Sequence, residues 1–329
     1  MVYEGVLHCP DTGCQLEYPI IDGIPLLFPD IRSYITDNLV HITARIDLSE
    51  LSDSILGDCA GPNSQYDITR QHLSSYTWDN YADLDENEPE YVSSESHVKP
   101  GGVKRCLLKG LELIGHKVAE PIIDLGCSVG RSSFELAEHT DQLVLGIDNN
   151  FSMLRLAQQI LNKQTVSYPR RRVGIVYDRR EFKVNFKSAN KVDFWACDAL
   201  SLPFSPNTFG LSVGLQVLDS VPSPHDLLES ISCLLRPGGS AILASPYDWS
   251  PAVTPIEAWI GGHSQRGENK GASEPLLKSL LTPGAHPQSI KGLKFKNEVT
   301  DFPWHTRIHN RGSMMYQVHI FTADAISTQ

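Results

Sequence analysis

Residues 121–130 read Pro-Ile-Ile-Asp-Leu-Gly-Cys-Ser-Val-Gly and constrain this chain more than any other stretch. Ile122-Ile123 is a short apolar run that ends in Asp124, a glycine-containing turn follows, and from Gly130 onward Phe134, Leu136 and Ala137 fall at helical spacing. A strand, a tight turn and a helix N-terminus in that order bind nucleotide-like ligands, because backbone N–H groups and the positive helix end face the ligand. A dinucleotide site spaces its glycines so that the backbone can touch a pyrophosphate. Here Asp124 stands two residues before Gly126, and Cys127-Ser128 fill the turn. A carboxylate in that place repels a pyrophosphate and suits a ligand with an ammonium and a sulfonium. The turn therefore favours S-adenosylmethionine (SAM) over NAD or ATP.

From Gly101 on, strand-like and helix-like segments alternate, which predicts a doubly wound α/β domain with a mainly parallel sheet. The expected elements are a helix over 103–113, strand one at 122–123, strand two at 143–147, a helix over 151–161, strand three at 192–196 and strand four at 209–215. A helix over 227–235, stopped by Arg236-Pro237-Gly238-Gly239, and strand five at 240–244 follow. Segments 295–299 and 316–321 read as a closing antiparallel hairpin, and 164–190 as an insertion rich in Arg and Tyr.

Composition excludes several partners. The net charge of −11 disfavours nucleic acid and anionic membranes. The dense basic run, Arg170-Arg171-Arg172 with Arg179-Arg180, reads as a solvated loop rather than a phosphate cradle. No stretch reaches the ~20 apolar residues of a membrane span. The first residues show neither a basic nor an apolar signal region, so a cytoplasmic protein is expected. Seven scattered cysteines fit reduced thiols better than a disulfide framework.

Ahead of the main domain, Leu7-His8-Cys9-Pro10 and Cys14 lead to Tyr18-Pro19-Ile20-Ile21-Asp22-Gly23-Ile24-Pro25-Leu26-Leu27-Phe28, with Asp22-Gly23 as a hairpin turn. This pattern resembles the small zinc-ribbon-like proteins that activate methyltransferases. Cys9 and Cys14 form a loose pair with no second pair after it, so a compact, β-rich and metal-free unit is expected, with both cysteines buried. Residues 31–95, with an acidic run from Asp83 and with Tyr76, Trp78, Tyr81 and Tyr91, read as a partly helical connector over the catalytic domain. The division expected is 1–32 (ribbon-like segment), 33–100 (connector or lid) and 101–329 (methyltransferase domain).

The candidate cofactor site collects polar residues at the carboxyl ends of successive strands, where open α/β sheets bind ligands. Asp124, Gly126, Cys127, Ser128 and Gly130 would hold the methionine part. Asp148, with Asn149, follows Asp124 at close to the ~20-residue spacing at which an acid meets ribose hydroxyls. Asp198 and Ala199 would meet the adenine amino group, Met153 or Phe151 would flank the ring, and Gln216 follows strand four. These residues in register predict a Rossmann-like, SAM-dependent methyltransferase that releases S-adenosylhomocysteine.

A closer resemblance covers about residues 100–322. Asp-Leu-Gly-Cys-Ser-Val-Gly-Arg-Ser-Ser-Phe-Glu-Leu-Ala at 124–137 and Val217-Leu218-Asp219 are similar to the mercaptohistidine (ovothiol-type) N-methyltransferases. So are Ser245-Pro246-Tyr247-Asp248-Trp249, Thr254-Pro255, Trp259-Ile260-Gly261-Gly262, and Arg307-Ile308-His309-Asn310-Arg311 with Tyr316-Gln317-Val318. The sulfur-inserting iron domain of the fused members of that family is absent. The resemblance implies methylation of an imidazole nitrogen on a small molecule or short peptide. Asp219 and Asp248 would orient the ring N–H and Tyr247 would hold the ring. His97, Trp249, Trp259, Tyr316 and Arg307 would line the acceptor site, Arg307 as a fork for a carboxylate. His225 reads as a surface helix cap. His263, His305 and His309 lack metal-ligand spacing, so no metal is expected. Another natural-product acceptor, a protein or peptide histidine, and a partner-binding subunit are the alternatives.

Overall fold

The computed structural model describes residues 2–88, 98–267 and 269–327. His97 and Tyr91 lie outside them. At the centre are β4 (Ile122–Leu125), buried at every position, and β9 (Phe209–Leu215), buried at all but its last. Such continuous apolar strands belong in a parallel sheet covered on both faces. Successive side chains on a strand point to opposite faces. Accordingly Ile122 packs with Leu107, Phe134 and Phe151, whereas Ile123 packs with Leu227, Ile231 and Leu277. The first group comes from α4 (Gly102–Ile114), α5 (Arg131–Thr140) and α6 (Phe151–Lys163), and the second from α7 (Pro224–Leu234) and α8 (Ser273–Leu280).

The remaining strands are β1 (Gly5–His8), β2 (Glu17–Ile21), β3 (Ile24–Leu27), β5 (Val144–Asp148), β6 (Thr165–Val173), β7 (Val176–Lys183), β8 (Val192–Cys197), β10 (Leu235–Ser245), β11 (Leu293–His309) and β12 (Gly312–Ala325). Of the twelve strands of the described residues, ten form one sheet in the order β1-β2-β3-β8-β5-β4-β9-β10-β12-β11, and β6 and β7 form a separate pair. β8, β5, β4, β9 and β10 run parallel, and β12 and β11 close the sheet antiparallel. The chain reverses its direction of winding between β4 and β9. Ligands of such sheets bind in the crevice beyond the strand ends at that point. The expected fold is thus present. No helix of the described residues is long and apolar enough to cross a membrane.

Several local expectations need correction. The ribbon-like segment is not a separate unit: Leu26 pairs with Ala196 and Leu27 with Cys197, so β1–β3 extend the main sheet past β8. The unpaired backbone groups at the edge of β8 favour such pairing. Asp22 and Gly23 do form the two-residue turn, both with positive φ (53° and 82°). Cys14 is exposed and Cys9 half-buried, so neither packs as expected. The connector is largely helical, with α1 (Ile31–Thr43), α2 (Glu50–Ala60) and α3 (Gln65–Tyr81) each opened by a side-chain cap from Asp30, Ser49 or Ser64. α7 is capped by Ser223 rather than by His225, whose ring meets the Gln288 carbonyl. Residues 236–239 do not lie outside the strands. They form an irregularity within β10, where the register moves from Leu235–Phe209 to Ser240–Leu211.

The basic run is not a solvated loop. The insertion is a β6–β7 hairpin lying against α3, and Arg170 there pairs with buried Glu88 at 2.7 Å. Arg180 pairs with Asp85, and Arg131 at the start of α5 holds Asp83 through two bonds of 2.9 Å. The acidic run of the connector is therefore clamped to the catalytic domain by arginines.

Candidate active site

The turn after β4 owes its shape to positive φ at Gly126 (67°), Ser128 (53°) and Gly130 (89°). A Cβ at Gly130 would lie 2.6 Å from Phe194 and 2.9 Å from Ala157, so only glycine lets α5 approach β8 and α6 this closely. A Cβ at Gly126 would lie 3.1 Å from Val217, which places the turn against the loop after β9.

Asp124 does not face the crevice. It is buried behind the turn, and its Oδ2 accepts the Ser132 and Ser133 hydroxyls at 2.6 Å each. Burial, aided by the Asp148 charge, pushes its carboxyl up to about 6 despite those hydrogen bonds. The direct contact expected between Asp124 and the methionine part thus gives way to a supporting role beneath the turn. Asp148 is placed differently. It is half-buried at the end of β5, where Oδ2 accepts the Ser128 amide at 2.9 Å and Oδ1 the Asn150 amide at 2.8 Å. Each oxygen keeps a further lone pair. Burial raises its carboxyl, while the backbone amides of Asn150, Ser128 and Asn149 act to lower it.

The other candidates for the cofactor lie around the same crevice. The Asn149 carbonyl accepts the Tyr34 hydroxyl of α1 at 2.9 Å. Met153 is buried, with its sulfur 3.3 Å from the Ser128 hydroxyl, whereas Phe151 is core and stacks on the Arg155 guanidinium. Asp198 caps the following turn through the Leu200 amide (2.9 Å), beside half-buried Ala199. Cys127 is buried and its thiol is raised by that burial. Gln216 has φ 56°, its N–H bonds Ala244, and its side-chain nitrogen is buried without a partner. A glycine-shaped turn, an acid with spare lone pairs and an orphaned amide donor all fit SAM.

Across the crevice, the ends of β9 and β10 meet. The Asp248 amide donates to Asp219 Oδ2 at 2.8 Å, and the Tyr316 hydroxyl of β12 donates to Asp248 Oδ2 at 3.2 Å. Asp219 is buried and Asp248 exposed. Burial, then the nearby Asp248 charge, raise the Asp219 carboxyl against its hydrogen bonds to the Asp248 amide and Ser245. Tyr76 of α3 is 44% exposed; partial burial, then the charges of Asp148, Asp79 and Asp219, raise its phenol. Its role was not assigned from sequence, where it reads only as one of several aromatics in the connector.

Tyr247 turns its hydroxyl toward His319 Nδ1 at 2.7 Å, away from Asp248. Trp249 and Trp259 stack with centroids 6.1 Å apart, their indole N–H groups engaged by Ser273 and the Thr254 carbonyl. Arg307 is not a fork for a carboxylate. It is 1% exposed and bonds the Arg171 carbonyl at 2.9 Å and Asn310. His305 accepts the Lys99 amide and His309 the Arg311 amide.

Residues 116–274 match the family model of a methyltransferase domain. A phosphoethanolamine N-methyltransferase of Triticum aestivum is 25% identical over 60% of this chain, and the chain spans only 34% of that relative. A carboxy-S-adenosyl-L-methionine synthase of Aliivibrio salmonicida is 26% identical over 63% of this chain and 81% of its own length. A solved SAM-dependent methyltransferase of Methanosarcina mazei aligns at a TM-score of 0.42 and 21% identity, over 66% of this chain and 98% of that one. Residues 116–274 are a methyltransferase domain of the class I, SAM-dependent type.

Proposed function

We propose that the chain is a SAM-dependent N-methyltransferase whose acceptor is a small imidazole-bearing molecule of the thiohistidine kind. The observation that carries this reading is the grouping of Asp219, Asp248 and Tyr316 beyond β9 and β10, beside a turn shaped for SAM. The curated wheat relatives are named as methylating nitrogen, which agrees with an acceptor wall made of carboxylates.

Bound SAM supplies an electrophilic methyl group on a sulfonium. The chain's task is to hold a nucleophile about 3–3.5 Å from that carbon with its lone pair aligned. Neutral imidazole, with a pKa of about 6.5, has such a lone pair at pH 7. In this reading Asp219 or Asp248 accepts the other ring N–H and so selects the tautomer, while Tyr316 fixes the Asp248 carboxylate. Trp249 and Trp259 wall the pocket, and α1–α3 form its lid.

A SAM-consumption screen with product mass spectra tests this. Histidine, 5-thiohistidine, histamine and histidine peptides are the nitrogen acceptors, with a phenol and a carboxylate as controls. Turnover of an imidazole is expected. Turnover of the controls alone would overturn the acceptor class and leave the methyltransferase fold in place.

A further inference from the structure

The ten-stranded sheet ends at β1 on one side and at β11 on the other. An edge strand presents unpaired N–H and C=O groups, and proteins blunt it with bulges, lysines or proline. β11 is blunted in this way: its register with β12 shifts three times, and it carries Lys294, Lys296 and Pro303. β1 reads Gly-Val-Leu-His and has none of these devices. Its ladder with β2 is regular from Gly5–Ile20 to His8–Glu17. Two bonds prolong it: the Gly23 amide donates to the Tyr3 carbonyl at 2.8 Å, and the Cys9 amide to the Leu16 carbonyl at 2.9 Å.

These bonds fix which way the edge points. Along an antiparallel pair, residues whose backbone bonds the neighbouring strand alternate with residues whose backbone turns away from it. Tyr3 and Cys9 bond inward, and Pro19, opposite Val6, has no N–H to offer, so the odd-numbered residues of this segment bond its own sheet. The backbone groups of Glu4, Val6 and His8 therefore face outward. Val6 is 53% exposed, and Val2, Tyr3, Leu7 and Leu16 are exposed around it.

We propose that β1 is the interface for a second copy of this chain, the two β1 strands pairing antiparallel about a twofold axis at Val6. The segment is complementary to itself in that register. Val6 meets Val6, and Glu4 meets His8 in both directions, with these side chains on one face of the joined sheet. His8 already lies 3.3 Å from Glu17 of β2, so each imidazole stands between its own Glu17 and the second copy's Glu4. The same patch serves both copies, and the interface closes on itself as a dimer. The net charge of −11 makes nucleic acid or an anionic membrane a poor fit for this edge. β4 lies five strands away from β1, about 24 Å at the usual strand spacing, so both crevices stay open.

Sedimentation equilibrium of the full chain, with S-adenosylhomocysteine binding as the check on folding, tests this. The unaltered chain is expected to sediment at twice the mass of one copy. Val6→Pro removes an outward N–H that its own sheet does not use, and Val6→Lys sets two like charges against each other at the axis. Each is expected to weaken the dimer at least about tenfold while S-adenosylhomocysteine affinity stays within about twofold. Ile55→Lys, on the exposed apolar face of α2, is expected to leave the dimer intact. If Val6→Pro fails to bind S-adenosylhomocysteine, Val6→Lys decides. An unaltered chain that stays single at about 100 μM overturns the proposal. So does a dimer that withstands the Val6 variants, or one that Ile55→Lys disrupts.

Discussion

Asp79 illustrates how far a single residue departs from what its type suggests. It lies on α3, accepts Trp304 Nε1 at 2.8 Å and the Thr306 hydroxyl at 3.2 Å, and leaves Oδ1 buried without a partner. Burial pushes its carboxyl up to about 7 against those two bonds and the Arg105 charge. Because the folded state holds the proton more tightly than the unfolded one, its contribution to stability is full below about pH 4 and is lost as pH rises toward 7. Asp79→Asn keeps an acceptor for Trp304 and removes the charge. It is expected to stabilise the protein by about 1–4 kcal/mol at pH 8, with no difference at pH 4, in urea titrations at both pH values. An unchanged midpoint at pH 8 would show that folding does not raise the Asp79 carboxyl. Nothing in a helix of mixed polar residues marks Asp79 as buried. The same holds for Arg307, whose neighbours Asn310 and the Arg171 carbonyl are brought to it by the fold. Asp124 and Asp148 were readable because each ends a short apolar run; which of them faces the crevice was not, since that depends on the hydroxyls of Ser132 and Ser133.

At the scale of elements, the connector packs Ile42 and Tyr81 into the core and is held by buried ion pairs as well. Arg131 is fully buried between Asp83 and Glu135 and also bonds the Asn80 carbonyl. Asp83→Ala removes one carboxylate and leaves a buried guanidinium less compensated. A loss of about 3 kcal/mol is expected in chemical denaturation, the low end for a broken buried pair because Glu135 remains. A loss under 0.5 kcal/mol would mean that the clamp does not hold the connector. The ribbon is tied in similarly: Arg155 on α6 pairs with Asp22 at 2.7 Å and bonds the carbonyls of His41 and Ile42. The strands and helices of the core were readable within a few residues from local pattern. Pairings between distant segments, such as β3 with β8 or Arg170 with Glu88, have no local signature, so the segment joined to the sheet reads as a separate unit and the paired arginines read as solvated.

For the whole molecule, one sheet carries three parts. Its centre shapes the crevice, its β10–β12 side supplies the acceptor wall of the proposed function, and its β8 side is extended by the N-terminal strands. Tyr34 and Arg155 connect α1 and those strands to Asn149 and α6, so the ribbon and the Asp148 side of the crevice are packed together. The strand order alone places the crevice between β4 and β9, and the sequence order of polar strand ends already pointed there.

Equilibrium binding of SAM and S-adenosylhomocysteine to the full chain, with NAD as the competing ligand and Asp148→Ala alongside, tests the central claim most directly. Saturable binding of both adenosyl ligands is expected, with ~2.7 kcal/mol of added stability at 100 times the Kd. Asp148→Ala should weaken that binding by about 1.5–3 kcal/mol through the lost bonds to a charged acceptor. Binding of NAD in place of SAM, or no binding of either adenosyl ligand, would contradict the account.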